Sequence, residues 1–160
     1  MKIYTLGFAK KSAAEFFTLL RESGATRLVD LRLHNSSQLA GYTKSSDLAY
    51  FARAICAMGY VHATDLAPTQ ELLDLWHGAR DWPAYERGYR ELLRQREVEN
   101  KVPRELLADG CLFCTEPSPE RCHRRVVIEY LGDKWGGIEA VHLGVPAPRP
   151  GRAPKLAAAS

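Results

Sequence analysis

The stretch Cys111-Leu-Phe-Cys114-Thr-Glu116-Pro-Ser-Pro-Glu120-Arg-Cys122-His123-Arg124 gathers thiols, a carboxylate, an imidazole and a guanidinium into one short segment. Such a set can supply a nucleophile, a proton-transfer group and an anion clamp together. Cys122 sits at a predicted helix start, where the helix dipole and free N–H groups favour thiolate over thiol. Glu116 can act as a general acid or base if burial raises its pKa. Arg124 offers a bidentate clamp for a phosphate or carboxylate drawn to the same helix N-terminus. Cys114 and His123 complete the candidate catalytic group. A zinc reading through Cys114, Cys122 and His123 competes with it. Cys111 does not strengthen that reading, because residues three apart on a regular strand point to opposite faces. No metal or cofactor is assigned on these grounds.

These residues need a scaffold, and the chain supplies alternating strand and helix signals. Short β-prone runs at 2–6, 26–31, 60–62, 111–114 and 138–143 predict five strands. Ser12 and Glu15 form a capping box before Phe16, Phe17, Leu19 and Leu20, with Gly24 as the stop. Leu48, Phe51, Ala52 and Ile55 recur at helical spacing, and Gly59 is read as the stop. Thr69 and Asp81 are read as caps of a brief helix and a longer one, the latter running to about Val98. Trp82, Tyr85, Tyr89, Leu92 and Leu93 form its apolar stripe, read as core. Ser118-Pro119 predicts the start of a helix continuing to about Leu131.

Strands alternating with helices predict an α/β fold: three layers, a mainly parallel five-stranded sheet and helices on both faces, Rossmann-like in plan. Ligands of such sheets bind beyond the strand carboxyl ends. That edge would collect Asp30 and Arg32 after the second strand, His62 and Asp65 after the third, and Cys114 and Glu116 after the fourth. The polar loop from Arg32 through Tyr42, with His34 and Gln38, is long enough to suggest binding more than simple connection.

Composition narrows the function classes. With 46% hydrophobic and 26% charged residues, the 160-residue chain is ordinary for a globular protein. Residues 1–145 are expected to form a single α/β domain, and the Pro-, Ala- and Arg-rich 146–160 a disordered tail. The net charge of +3 is accounted for by Arg149, Arg152 and Lys155, leaving residues 1–148 formally neutral. A broad basic face for duplex nucleic acid is therefore not indicated. Neither a signal core nor an apolar run near membrane-spanning length is present, so a cytoplasmic location, reduced thiols and no membrane partner are expected.

Five segments together resemble a bacterial and archaeal family, the domain of unknown function 488. They are Tyr4-Thr-Leu-Gly-Phe8, Leu28-Val-Asp30-Leu-Arg32, Asn35-Ser-Ser-Gln-Leu-Ala-Gly41-Tyr42, the Trp82-to-Tyr89 aromatic helix, and Leu112-Phe-Cys114-Thr-Glu116-Pro…Cys122-His123-Arg124. The resemblance runs to about His142. It implies an α/β domain with a clustered site of Asp30, Arg32, Cys114, Glu116, Cys122, His123 and Arg124, and it supplies no reaction. Two departures stand out: Cys111 replaces a usually apolar residue, and Thr5-Leu-Gly-Phe-Ala9 replaces the common Thr-x-Gly-His-Ser. The leading expectation is a small enzyme with Cys122, Glu116, Cys114 and His123 as catalytic groups. Its anionic, nucleotide or nucleic-acid-related substrate would be held by Asp30, Arg32, Gln38 and Arg124. A non-catalytic nucleic-acid or partner-binding module and a metal-binding protein are the alternatives, and oligomeric state is left open.

Overall fold

A computed structural model describes residues 1–36 and 41–145; Gln38 and the 146–160 segment lie outside the described residues. Five parallel strands, β1 (Lys2–Gly7), β2 (Arg27–Asp30), β3 (Gly59–His62), β4 (Gly110–Cys114) and β5 (Glu139–His142), form one sheet in the order β3-β2-β4-β1-β5. The late strand β4 is thus inserted between the two earliest. Its neighbours are held in register by Gly7 opposite Cys114 and Asp30 opposite Phe113, while Asp30 faces His62 across the β2–β3 pair. The carboxyl ends of all five strands consequently open on one edge.

Strand side chains alternate between the two faces, and each face has its own core. Tyr4, Leu6, Leu28, Cys111 and Phe113 pack with Phe16, Phe17 and Leu20 of α1 (Ala13–Ser23) and Leu48 and Ala52 of α2 (Ser45–Cys56). On the opposite face Ile3, Val29 and Leu112 meet three helices: α3 (Gln70–Ala79), α4 (Trp82–Arg96) and α7 (His123–Trp135). Two four-residue helices, α5 (Val98–Lys101) and α6 (Arg104–Leu107), occupy the route from α4 into β4 and bury Val98 and Leu107. Leu112 is fully buried at the sheet centre, where truncation to alanine typically costs about 2–5 kcal/mol.

Helix caps follow the sequence in most places. Ser12 and Glu15 exchange both capping-box hydrogen bonds, Gly24 ends α1 in the left-handed region, and Thr69 and Asp81 accept from Leu72 N–H and Ala84 N–H. Two boundaries differ. It is Ala57 that takes the left-handed position after α2, while Gly59 opens β3. Ser118-Pro119 does not start the last helix: the Ser118 hydroxyl accepts from Glu120 N–H at 3.3 Å in a turn, and α7 begins at His123 with Cys122 as its N-cap. Cys122 therefore sits at the helix boundary itself. None of the helices among the described residues is long and apolar enough to cross a membrane.

Candidate functional site

Gly7 and Cys114, paired at the ends of β1 and β4, fix the floor of the site. Pairing continues past the strands, with Phe8 N–H donating to Cys114 C=O at 3.2 Å and Ala9 N–H to Thr115 C=O at 3.0 Å. A β-carbon on Gly7 would fall 1.6 Å from the Glu116 carbonyl oxygen, so only glycine permits this approach. That same carbonyl accepts a 2.7 Å hydrogen bond from Arg124 Nη2. Nothing at the level of sequence distinguishes Gly7 from an ordinary strand-end glycine.

Arg124, 1% exposed, also donates through Nε to Cys122 Sγ at 3.2 Å. Cys122 Sγ lies 2.8 Å from Cys114 Sγ and 4.0 Å from His123 Nδ1. Both thiols are 1% exposed, and all four cysteines of the chain are free. Burial alone pushes the Cys122 thiol up. The Cys114 hydrogen bond, the His123 imidazole and the Arg124 guanidinium outweigh it, holding Cys122 well below the ordinary thiol value. Cys114 shifts the other way, raised by burial and by the proton it shares with Cys122. Of the two, Cys122 is the one whose surroundings favour the thiolate.

The pair opens on a cavity of about 380 Å³. Phe8, Trp76, Trp82 and Tyr85 supply aromatic walls, with Trp82 and Tyr85 stacked at 5.3 Å and Trp76 edge-on to Trp82 at 5.5 Å. Arg32, His34, His77, Glu116, Arg121 and His123 bring polar groups to it. The His123 ring stands edge-on to Tyr89, and its Nε2 is buried without a hydrogen-bond partner. An unpaired buried nitrogen is costly, which favours a ligand or water group there.

Arg32 is held in place from behind. Its Nε and Nη2 make a bidentate pair with Asp30 at 2.9 and 2.8 Å, and Nη2 also donates to Thr43 C=O at 2.7 Å. The Tyr60 hydroxyl donates to Asp30 Oδ2 at 2.6 Å, and burial together with that bond raises the Tyr60 pKa. The Arg32 guanidinium lies over the Phe113 ring at 4.6 Å. His62, at the end of β3, places Nε2 2.6 Å from Arg32 C=O. His34 pairs with Gln70 Oε1 at 2.6 Å.

Of the residues singled out by sequence, Cys114, Glu116, Cys122, His123 and Arg32 thus meet around one cavity. Asp30 is fully buried behind Arg32, and Arg124 is buried behind Cys122; neither lines the cavity. Gln38 lies outside the described residues. The aromatic wall was missed, because the stripe on α4 has the spacing of an ordinary core helix. Tyr85 and Tyr89 are indeed buried, yet Trp82 and Tyr85 also form cavity surface.

Cys114, Cys122 and His123 offer three ligand atoms within 4.8 Å of one another, a grouping that could hold a metal ion. Two thiolates on one tetrahedral zinc stand about 3.8 Å apart, given Zn–S bonds of about 2.3 Å. The sulfurs here would have to separate by about 1 Å to take up that geometry.

No curated protein and no solved structure matches the chain. The fold and the site nevertheless have a family context: residues 12–131 match the family described as a domain of unknown function, DUF488, and the chain belongs to that family.

Proposed function

We propose that the protein is a small cytoplasmic enzyme acting on an anionic substrate with a flat ring, nucleotide or nucleic-acid related, with Cys122 as nucleophile. The observation that carries this reading is the placement of Cys122 Sγ. Cys122 lines a cavity that combines aromatic walls with Arg32, Arg121, Glu116 and His123, whose Nε2 is unpartnered, while Arg124 holds the sulfur from behind. Trp76, Trp82, Tyr85 and Phe8 suit a stacked base, and Arg32 and Arg121 suit its phosphate. In this scheme the thiolate bonds to an electrophilic centre of the substrate as the bond to the leaving group breaks, and water then hydrolyses the Cys122 adduct. Glu116, whose carboxyl group takes part in no hydrogen bond among the described residues, transfers the proton the leaving group needs.

Alkylation of Cys122 by iodoacetamide, followed by peptide mass analysis, tests the reading without a known reaction. Nucleoside monophosphates at millimolar concentration should slow labelling by about tenfold, and inorganic phosphate should do so more weakly. If neither changes the rate, the substrate class is wrong.

A metal site is the second reading, favoured by the three clustered ligand atoms. Zinc titration with readout of thiolate absorption separates the two. Stoichiometric uptake that blocks alkylation supports the metal, and unchanged labelling removes it.

A further inference from the structure

Cys114 has no necessary role in nucleophilic chemistry by Cys122, yet its sulfur is the nearest of the three polar contacts to Cys122 Sγ, at 2.8 Å against 3.2 Å for Arg124 Nε and 4.0 Å for His123 Nδ1. Both residues line the same cavity. The disulfide bond length is about 2.05 Å, so closure asks the two sulfurs to approach by under about 1 Å. Cys114 is fixed by ladder pairing at the carboxyl end of the central strand β4, while Cys122 belongs to a turn in which Thr115, Ser118, Glu120 and Arg121 are exposed.

We propose that Cys122 and Cys114 form a peroxide-reactive dithiol, in which Cys122 is oxidised first and Cys114 resolves it as an intramolecular disulfide. Cys122 thiolate attacks one oxygen of a hydroperoxide, the O–O bond breaks, and the departing hydroxide or alkoxide takes up a proton to leave as water or alcohol. Cys122 is left as a sulfenic acid. Cys114 sulfur then attacks Cys122 sulfur; its proton and the sulfenic hydroxyl depart as water, and the disulfide forms. Across both steps the two thiols lose two electrons and the peroxide gains them. Two equivalents of a low-molecular-weight thiol return the pair to the reduced state by exchange.

A hydroperoxide is the oxidant this site favours because each thiol is 1% exposed and is reached through the cavity, which disfavours a bulky disulfide reagent. Arg124 donates to the sulfur from the buried side and stabilises the anionic form that attacks. The consequence for the site is direct: the disulfide removes the sulfur that would serve as nucleophile. The redox chemistry itself does not depend on the identity of the substrate.

Cys56 provides an internal control, since it is the most exposed of the four thiols and lies under the other face of the sheet. The reduced full-length chain is exposed to hydrogen peroxide at neutral pH, quenched with iodoacetamide in denaturant, and mapped by peptide mass. The expected result is a Cys114–Cys122 cross-link forming at least about tenfold faster than any oxidation of Cys56 and reversed by dithiothreitol. Cys114→Ser, or Cys114→Ala should serine disturb the core, should stop at a dimedone-reactive sulfenic acid on Cys122. Oxidation of Cys56 at an equal or greater rate would overturn the proposal, as would wild-type Cys122 passing to sulfinic acid without cross-linking. Nucleotide protection plays no part in this readout, so either reading can fail while the other stands.

Discussion

Cys111 and Cys122 are almost equally buried, yet they differ in chemistry because they lie on opposite faces of one sheet. Cys111, under α1 and α2 among Phe16, Leu20 and Phe113, meets a nearly apolar environment, and burial pushes its thiol up to about 12. Cys122, on the α4–α7 side, is pulled below the ordinary value by Cys114, His123 and Arg124 against the same desolvation. Burial does not decide the direction of the thiol pKa here. The number of donors and cations brought within reach decides it, and only the carboxyl edge of the second face provides them.

The largest predicted effect breaks that edge. Gly7→Ala should drive a methyl group into the Glu116 carbonyl, costing about 3 kcal/mol or more in denaturant unfolding, whereas Gly132→Ala in α7, with open space around it, should be neutral or stabilise by up to about 1 kcal/mol. Equal effects would mean that the Gly7–Glu116 approach is not required.

Next comes the cation behind the sulfur. Arg124→Met removes the donor to Cys122 Sγ and to Glu116 C=O, and should lower Cys122 alkylation at pH 7 by about tenfold or more. Arg124→Lys, which keeps charge but loses the two-point geometry, should fall between.

The pH dependence sharpens the contrast further. Because the folded Cys122 pKa is depressed, the thiolate persists as pH falls below about 8.5, and its labelling should stay nearly constant from pH 8 to 7. Cys56, whose pKa is raised first by burial, should lose about tenfold in labelling over each unit of that fall. By the same sign rule, the contribution of ionised Cys122 to stability is present above about 8.5 and is lost as pH falls through its lower folded value. Parallel labelling profiles for the two cysteines would erase the distinction.

A smaller effect tests the support of Arg32. Tyr60→Phe removes the hydrogen bond to Asp30 Oδ2 and should cost about 1–2 kcal/mol while leaving Cys122 labelling unchanged. Smallest of all, Cys56→Ser should alter neither labelling of Cys122 nor disulfide closure.

Much of the scaffold was legible because local rules governed it. The Ser12–Glu15 box, Gly24 and the Thr69 and Asp81 caps act within four residues, and each was where the sequence put it. Strand parity separated Cys111 from Cys114 correctly for the same reason. The Ser118-Pro119 signal failed because a cap residue followed by proline also makes a turn, and packing of Cys122 against Cys114 and Arg124 set the helix start later.

The sequence by itself determined the alternation of strands and helices, the family, and the chemical inventory of the Cys114–Arg124 segment, since these depend on residue type and short spacing. Only the tertiary structure decided which groups face the ligand. Insertion of β4 between β1 and β2 brings Gly7, Arg32 and Cys114 from three distant segments to one edge. It also turns Arg124 and Asp30 into buried supports and makes Trp76, Trp82 and Tyr85 a cavity wall. Long-range pairing is not encoded in any local period, so strand order, and with it the division between contact and support, emerges only when the sheet closes.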